Sequence, residues 1–350
     1  MITEGKVKLD VDMPDKVSKK LPVFYNPVME LNRSVSIEVL RRAFSSPVRI
    51  ALPLAGTGIR GLRFLAECNE YVGLLAMNDH SPGFAEAFRG RLELNGLDGP
   101  VKCSENDANV FLLSSEGFDY IDVDPFGTPN PFLDAAVQRI AREGILAVTA
   151  TDTSALAGTY LGPCRRKYWA EPLRNWLKHY VGLAILVRKV QLIGAQYEKA
   201  LYPVFSYSKD HYYRVFFRCV KGKKIVDDVL KKHQFLIYDK ARLSYRFSPS
   251  NACGDGEVFA GPLFSGDLWA DGFRDIGLVK WLDEESSASG HYIDLHEVCK
   301  MLAVSVPRYE MLRERLKSSG YAFSRSHLGD SLIRTDAPVG VISDLMMSIK

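Results

Sequence analysis

Short apolar runs and amphipathic stretches alternate along the first 150 residues of the chain. These runs have the length of strands and cover residues 48–55, 71–77, 118–123 and 144–151, and a further strand is predicted over the more polar residues 101–105. The stretches between them repeat their apolar residues every three or four positions, which is the spacing of an amphipathic helix. Strands that alternate with helices in this way predict a Rossmann-like α/β sheet of mostly parallel strands.

Two more apolar runs, residues 201–207 and 211–219, follow a long apolar helical stretch. The three residues between them are too few for a crossover helix, so this terminal pair is expected to be antiparallel. Five strand–helix units followed by an antiparallel hairpin form the sheet of class I S-adenosylmethionine-dependent methyltransferases. A dehydrogenase would have a second, parallel half in its place.

A glycine-rich turn, Gly56-Thr57-Gly58-Ile59-Arg60-Gly61, follows the first predicted strand and leads into a helix. The pattern G-x-G-x-x-G in this position predicts nucleotide binding, because the glycines let a ligand approach backbone N–H groups. The second strand ends at Asp79, where an acid can hydrogen-bond ribose hydroxyls. NAD and S-adenosylmethionine both carry a ribose, so the turn and Asp79 predict an adenosine ligand and the hairpin favours S-adenosylmethionine.

The fourth predicted strand ends at Asp124, which Pro125, Phe126 and Gly127 follow. A carboxylate can accept hydrogen bonds from an exocyclic amino group, Pro125 offers a carbonyl without a competing N–H, and Phe126 offers a face for stacking. This combination suits an enzyme that methylates an amino nitrogen of a nucleobase. The structural alternative is an ordinary capped turn at the end of a strand.

Three further positions are candidates for ligand contacts. Asp107 and Ala108 end the third strand, where an oxygen and a backbone N–H can read an adenine edge beside a small side chain, although Asp107 also suits a helix N-cap. Phe24 lies between two prolines and either covers a substrate base or packs into the core. Arg33 lies early in a helix predicted over 29–43, and either reaches a ligand carboxylate or is solvated.

Composition changes this picture little. The chain has 350 residues, 47% of them hydrophobic, and a net charge of +3, so it is an ordinary globular protein whose charge neither requires nor excludes nucleic acid. Its six cysteines form no C-x-x-C pair, which predicts reduced thiols and no metal site. Without an apolar run of about 18 residues or a signal-like N-terminus, we expect no membrane span and a cytoplasmic location.

Basic residues concentrate in two places. Residues 160–169 combine three consecutive cations with aromatic residues, which suits phosphates and bases but also an ordinary solvated turn. Beyond a turn-rich stretch at 248–256, helical patterns at 294–302 and 308–318 and a predicted strand at 320–327 indicate a winged-helix-like α+β unit. Its cations that could hold phosphates are Arg308, Arg313, Arg315, Lys317, Arg325 and Arg334.

Taken in order, these motifs closely resemble the tRNA (guanine(26)-N2)-dimethyltransferases in their archaeal form. The matching motifs are residues 24–27 with Asn32 and Arg33, 56–61, Asn78 with Asp79, 107–109, 124–127, 149–152 and 209–212. The match is continuous over residues 23–220 and fainter towards the C-terminus.

The resemblance implies transfer of one or two methyl groups from S-adenosylmethionine to N2 of guanine 26 in tRNA. It implies that Asp124 is the catalytic carboxylate, with Phe24 and Phe126 stacking on the flipped guanine beside Pro125. It also assigns five residues to cofactor binding beside Gly56 and Gly58, namely Arg33, Arg60, Asp79, Asp107 and Ala108. Residues 1–260 would form the catalytic domain with an N-terminal extension, and residues 261–350 a tRNA-binding domain.

The sequence departs from the family in two places. Residues 52–54 lack the acid that the family commonly has near the end of the first strand. Only Cys253 precedes Gly261-Pro262-Leu263, where some relatives carry paired cysteines, so we expect no zinc site. The alternatives are methylation of another nucleobase amino group, such as a different tRNA guanine or adenine N6, and a non-catalytic RNA-binding protein. We expect a monomer without an obligate protein partner.

Overall fold

The computed structural model describes residues 1–11 and 25–348. Its strands are β1 (Ile2–Glu4), β2 (Val7–Leu9), β3 (Val48–Leu52), β4 (Val72–Asn78), β5 (Val101–Ser104), β6 (Phe118–Val123), β7 (Ile140–Ala150), β8 (Lys199–Lys209), β9 (Tyr212–Lys221), β10 (His233–Asp239), β11 (Ser244–Ser248), β12 (Glu257–Phe264), β13 (His291–Asp294), β14 (Ser324–Arg325) and β15 (Leu332–Thr335). Its helices are α1 (Glu30–Ala43), α2 (Ile59–Glu67), α3 (Phe84–Asn95), α4 (Ala108–Leu113), α5 (Asn130–Arg139), α6 (Thr153–Leu156), α7 (Leu161–Tyr168), α8 (Lys178–Ala195), α9 (Lys223–Leu230), α10 (Leu282–Ser287), α11 (Leu295–Leu302), α12 (Tyr309–Ser318) and α13 (Val339–Ser348). Short 3-10 helices span Pro27–Met29 and Asn69–Tyr71.

The largest sheet has seven strands in the order β5-β4-β3-β6-β7-β9-β8. The pairs β4–β5, β3–β4, β3–β6 and β6–β7 are parallel. Only Asp210 and His211 separate the neighbouring strands β8 and β9, so this pair is antiparallel, because a parallel pair needs a much longer crossover. The predicted fold, a mostly parallel Rossmann-like sheet with a terminal antiparallel hairpin, is confirmed.

The central strands are apolar because both faces of the sheet are covered. In β7, residues 145–150 are all fully buried, and β6 buries Tyr120 and Ile121 completely. Strand β7 begins at Ile140 rather than at residue 144, since Ile140 pairs with Phe118 before the register shifts. The sequence pattern missed this first part of the strand because the charged residues Arg142 and Glu143 interrupt the apolar run.

Strand order reverses at β3, which has β4 on one side and β6 on the other. Open α/β sheets bind ligands in the crevice outside the carboxyl ends of their strands at such a reversal. The loop after β3 carries the glycine turn, and the loop after β6 carries Asp124. The topology therefore brings the two main sequence motifs to one edge of the sheet.

The N-terminal residues form a small antiparallel hairpin of β1 and β2, in which Ile2 pairs with Leu9 and Glu4 with Val7. Val7 and Leu9 are fully buried, and β2 packs against α2 and α3. The hairpin delivers Glu4, a nearly fully buried acid, to the same part of the fold.

The chain divides into two compact units. Unit 1 comprises Met1–Asp152, Val190–Ser206 and Arg214–Leu230, and unit 2 comprises Thr153–Lys189, Tyr207–Tyr213 and Lys231–Lys350. The division into a catalytic part over 1–260 and a tRNA-binding part over 261–350 stays a prediction. A boundary at residue 260 would fall inside β12, and the two compact units are divided at other residues.

Unit 2 contains two three-stranded antiparallel sheets, ordered β11-β10-β12 and β13-β15-β14. Helices α11, α12 and α13 contribute Leu295, Leu312 and Ile342 to one apolar cluster with Ile333 of β15. Asp294 is the N-cap of α11, and its side chain accepts a hydrogen bond from the backbone N–H of Glu297 at 3.1 Å. Helix, turn, helix and a following strand pair form the predicted winged-helix-like unit.

The predicted strand at 320–327 is largely wrong, because only Ser324 and Arg325 are paired. The backbone N–H of Ser326 still donates to Leu332 O of β15 at 3.0 Å, but the side chain of Ser326 and the residue after it bind a buried carboxylate. Ser326 Oγ and His327 N donate to the carboxylate of Glu285 at 3.0 and 2.7 Å. The sequence pattern alone does not show whether a segment hydrogen-bonds to a neighbouring strand or to a side chain of a helix that is distant in sequence.

None of the helices within residues 1–11 and 25–348 combines the length and the apolar character that a bilayer crossing demands. The same residues contain no cluster of three or more His, Cys, Asp or Glu side chains placed to hold a metal ion.

Candidate active site

The glycine turn after β3 requires glycine at two positions. Gly56 and Gly58 have φ angles of 56° and 77°, in the left-handed region that side chains with a Cβ rarely adopt. A Cβ on Gly58 would lie 2.3 Å from the ring of Phe88. The turn therefore leads the chain into α2 with its backbone close to the neighbouring helix and its N–H groups at the edge of the sheet.

Asp79, directly after β4, holds this turn in place. Its Oδ2 accepts a hydrogen bond from Gly56 N at 2.8 Å, and its Oδ1 accepts bonds from Ser81 N at 3.0 Å and Ser81 Oγ at 2.7 Å. The preceding residue, Asn78, was not assigned a role from sequence. It is fully buried, its Nδ2 donates to Pro53 O at 3.0 Å, and its Oδ1 accepts from Asn106 N at 2.9 Å, so it ties three strand ends together.

At the end of β5, Asp107 is the N-cap of α4, as one of its two predicted roles requires. Its Oδ1 accepts hydrogen bonds from the N–H groups of Asn109 at 2.9 Å and Val110 at 3.2 Å. Asp107 itself is exposed, whereas Ala108 is buried. The cap leaves Oδ2 at the sheet edge, so capping and ligand binding are compatible.

The turn after β6 is latched to the end of β7. Gly127 N donates to Thr151 Oγ1 at 2.6 Å, Thr151 N donates to Gly127 O at 2.9 Å, and Gly127 has a φ of 86°. This turn buries Pro125 but leaves the side chain of Asp124 19% exposed and Phe126 43% exposed. An acid and an aromatic ring are thus presented together at the edge of a buried strand.

Arg60, predicted as a cofactor ligand, contacts the candidate catalytic acid. Its Nη2 lies 2.5 Å from Asp124 Oδ2 and donates to Asn32 Oδ1 at 2.9 Å, while its Nη1 donates to Ser36 Oγ at 2.6 Å. Asn32 and Ser36 are fully buried on α1. Since the guanidinium is held from below by two neutral acceptors, it fixes the direction of one carboxylate oxygen of Asp124.

A second ion pair lies beneath Arg60, and sequence reasoning missed it. Arg214 of β9 is fully buried and donates to both oxygens of Asp122, at 2.8 and 2.6 Å, and to Ser36 Oγ at 2.9 Å. Asp122 Oδ2 also lies 3.4 Å from Arg60 Nη1. A usable signal existed, because Arg214 is a lone charge within the apolar run Tyr212–Phe217 and Asp122 shares a strand face with Asp124.

The ionisation of this pair follows from its surroundings. Burial opposes the charge on Asp122, but the guanidinium groups of Arg214 and Arg60 outweigh burial and hold the pKa of Asp122 below its ordinary value. Burial likewise opposes the charge on Arg214, and Asp122 reverses this effect, so the pKa of Arg214 lies above its ordinary value. Both groups are charged at neutral pH. Together they form a buried ion pair beside Arg60, the residue that holds Asp124.

Arg33, another predicted cofactor ligand, is paired with a carboxylate of the chain itself. Its Nε donates to Glu4 Oε1 at 2.6 Å, and Tyr25 Oη donates to Glu4 Oε2 at 2.9 Å. Burial opposes the charge on Glu4, but hydrogen bonds and charges from Arg33 and Arg63 outweigh burial and lower the pKa of Glu4. The predicted role of Arg33 stays a prediction, and Phe24 lies outside the described residues.

The chain matches one protein family over nearly its whole length. A family model described as N2,N2-dimethylguanosine tRNA methyltransferase matches residues 5–347. A tRNA (guanine(26)-N(2))-dimethyltransferase of Methanothermobacter thermautotrophicus is 36% identical, over 99% of this chain and 98% of the relative. A tRNA (guanine(26)-N(2)/guanine(27)-N(2))-dimethyltransferase of Aquifex aeolicus is 38% identical, over 79% of this chain and 74% of the relative.

A solved structure agrees with these sequence matches. Trm1 from Pyrococcus horikoshii, determined in complex with S-adenosyl-L-methionine, superimposes with a TM-score of 0.86 and 30% identity. The similarity covers 99% of this chain and 99% of that one. The chain therefore belongs to the N2,N2-dimethylguanosine tRNA methyltransferase family.

Proposed function

We propose that this protein transfers one or two methyl groups from S-adenosylmethionine to the exocyclic N2 of guanine 26 in tRNA. The observation that carries the proposal is the placement of Asp124, an acid held by Arg60 at 2.5 Å where the strand order reverses, beside the exposed Phe126. The names of the full-length relatives support guanine 26 as the target. A sheet edge of this kind is where an extruded base and a donor can meet.

The residues at the neighbouring strand ends suit S-adenosylmethionine. The turn at Gly56 and Gly58 lets a ligand approach the backbone, Asp79 offers carboxylate oxygens to ribose hydroxyls, and Asp107 with the buried Ala108 suits an adenine edge. Arg33 is proposed to reach the carboxylate of the methionine moiety, in competition with Glu4. When bound, S-adenosylmethionine supplies a methyl group on a positively charged sulfur.

The two oxygens of Asp124 are proposed to have different tasks. Arg60 engages Oδ2, whereas Oδ1 has no hydrogen-bond donor among residues 1–11 and 25–348. Oδ1 is therefore available to accept an N2–H of guanine, with the carbonyl of Pro125 as a second acceptor. The carboxylate stabilises positive charge that develops on N2 and accepts the proton that N2 releases.

Aromatic residues are proposed to hold the base itself. Phe126 is 43% exposed and can stack on one face of the extruded guanine. Phe24 is proposed for the opposite face. Stacking fixes the plane of the base, so that the amino group points towards Asp124 and not past it.

Asp79→Asn is expected to weaken S-adenosylmethionine binding about ten- to a hundred-fold. The amide loses the charge that strengthens hydrogen bonds from ribose hydroxyls, and it also loosens the bond to Gly56 N. Isothermal titration calorimetry of both proteins measures the change. Glu105→Gln is the control, because Glu105 is also an acid at a strand end but accepts from Gly83 N and Ala85 N at the start of α3. An unchanged Kd for the Asp79 variant would contradict the assignment.

The proposed reaction is tested with defined tRNA transcripts and methyl-labelled S-adenosylmethionine. We expect N2-methylguanosine and N2,N2-dimethylguanosine by mass spectrometry, and loss of both when guanine 26 is replaced by adenine. Label that persists at guanine 27, as the name of the Aquifex relative allows, or that appears as N6-methyladenosine would favour the alternative targets. Absence of cofactor binding and of any transfer would favour a non-catalytic RNA-binding protein.

We also propose that residues 261–350 bind tRNA, and that the protein acts as a monomer in the cytoplasm. The exposed cations Arg308, Arg313 and Lys317 on and beside α12 support tRNA binding. Arg325 and Arg334 are less suitable, because each packs on aromatic rings of its own unit. Arg325 lies 4.1 Å from the ring centre of Tyr309 and Arg334 5.4 Å from that of Trp269.

A further inference from the structure

An aromatic and basic surface in unit 2 lies at the end of α7. Trp169 follows this helix with a φ of 56°, a left-handed conformation that is costly for a bulky residue, and it is 50% exposed. Tyr160, at the start of the helix, is 60% exposed. A strained backbone that keeps an indole in solvent is not explained by packing of the core.

The indole is held from the side of α8. The ammonium of Lys189 lies 2.9 Å from the centre of the Trp169 ring, and Arg188 Nη1 donates to Trp169 O at 3.4 Å. Lys189 is only 5% exposed, whereas Arg188 is half-buried. Lys189 therefore lies against the indole ring and Arg188 against the backbone carbonyl of the same residue, so Trp169 is held in place and is not a freely rotating surface side chain.

These two cations lack an acidic counter-ion among residues 1–11 and 25–348. In the described part of the chain, neither Arg188 nor Lys189 is paired with a carboxylate, and Arg188 Nε has no hydrogen-bond partner. By contrast, Arg165 on α7 is paired with Glu171 at 2.6 Å. A half-buried positive charge without a partner is costly, and binding of an anion would relieve that cost.

The ionisation of this region agrees with an uncompensated positive charge. Burial lowers the pKa of Arg188, and burial together with Arg188 lowers the pKa of Lys189 to about 8. Burial and Arg188 also lower the pKa of His233 to about 4. In each case the named effects disfavour the positive charge and no carboxylate opposes them.

We propose that Trp169, Arg188 and Lys189 form a subsite for tRNA, in which Arg188 holds a backbone phosphate, the buried Lys189 adds positive charge beside it, and the indole stacks on an unpaired base. The proposal rests on the proposed function for the identity of the polymer. Cations beside an exposed aromatic ring suit a nucleic acid, because guanidinium groups bind phosphates and every base has a face for stacking. Bases within a duplex are not available in this way, so the subsite requires a loop, a bulge or an extruded nucleotide.

The test measures binding of a fluorescently labelled tRNA transcript to the full-length protein by anisotropy, with heparin as a polyanion that has no bases. Trp169→Ala is expected to weaken tRNA binding about ten-fold or more without a comparable loss for heparin, and Trp169→Phe to retain most of the affinity. Arg188→Gln is expected to weaken binding of both polyanions and to reduce the slope of log K against log salt by about one.

Arg246→Gln serves as the control, because this exposed arginine of unit 2 is neutralised by Glu257. The proposal is overturned if Trp169→Ala and Arg188→Gln bind tRNA with the affinity of the unaltered protein. It is also overturned if Trp169→Ala weakens heparin binding as strongly as tRNA binding. Thermal unfolding of each variant identifies loss of folding; if Trp169→Ala does not fold, Trp169→Leu, which keeps an apolar side chain but has no aromatic face, and Arg188→Gln still decide. Methylation of guanine 26 by the unaltered protein is measured in parallel, so that a failure of the subsite is distinct from a failure of the proposed function.

Discussion

Asp124→Asn is expected to reduce the single-turnover rate of methyl transfer by at least about a hundred-fold. The asparagine side chain has nearly the same shape, but it has no charge to stabilise the positive charge that develops on N2. In addition, its amide N–H₂ faces either Arg60 or the amino group of guanine, and both of these are donors. Transfer of labelled methyl groups under saturating tRNA and S-adenosylmethionine measures the rate, and calorimetry is expected to detect little change in cofactor binding.

Asp119→Asn is the matched control for this experiment. Asp119 lies on the same strand, near its other end, where its Oδ2 accepts from Arg49 N at 2.9 Å. Its Oδ2 also lies 3.4 Å from Arg49 Nε, so Asp119 is paired with an arginine as Asp124 is, but it lies away from the carboxyl end of the sheet. If Asp124→Asn transfers methyl groups at the rate of the unaltered protein, Asp124 has no catalytic role and the proposed mechanism is wrong.

Arg214→Met is expected to lower the free energy of unfolding by about 3–5 kcal/mol. The substitution leaves Asp122 as a buried carboxylate whose nearest remaining cation, Arg60, is 3.4 Å away and shared with Asp124. Urea unfolding followed by circular dichroism measures the change. Arg218→Met is the control, since Arg218 is on the same strand but only partly buried and donates to a backbone carbonyl, Glu143 O, at 3.2 Å.

The double variant Asp122→Asn with Arg214→Met separates loss of packing from the cost of the unpaired charge. We expect it to regain part of the lost stability, because no buried charge is then left without a partner. A double variant that is as unstable as the sum of both single losses would contradict this explanation.

The pair of Asp122 and Arg214 also predicts how the free energy of unfolding depends on pH. Because the folded protein lowers the pKa of Asp122, its carboxylate contributes stability above the ordinary aspartate value of about 3.9. This contribution is lost as the pH falls through the lower pKa of the folded state. Asp122→Asn is therefore expected to unfold with a weaker dependence on pH below about 4, as measured by the urea midpoint at each pH.

The positions of the candidate site residues in the chain were predictable, and the contacts between them were not. Asp79 and Asp124 each follow an apolar run, and Asp107 follows a more polar predicted strand, so the local pattern already assigns all three to the carboxyl ends of strands. The partner of Arg33, by contrast, is Glu4, which is 29 residues away in a hairpin whose register no local pattern specifies. For the same reason the sequence indicated that Arg33 was either a ligand contact or solvated, and the structure has it buried in an internal ion pair.

From its sequence alone, this protein has a determined fold class, a terminal antiparallel hairpin that follows from a short connection, and acids at the ends of its strands. Those features depend on neighbouring residues, because burial of continuous apolar runs and the length of each connection act locally. Only the tertiary structure decided that Arg60 reaches Asp124, 64 residues away, and that Arg214 reaches Asp122, 92 residues away. Such pairs depend on the packing of α1, α2, β6 and β9 against one another, where several acceptors compete for each guanidinium and only the final geometry selects among them.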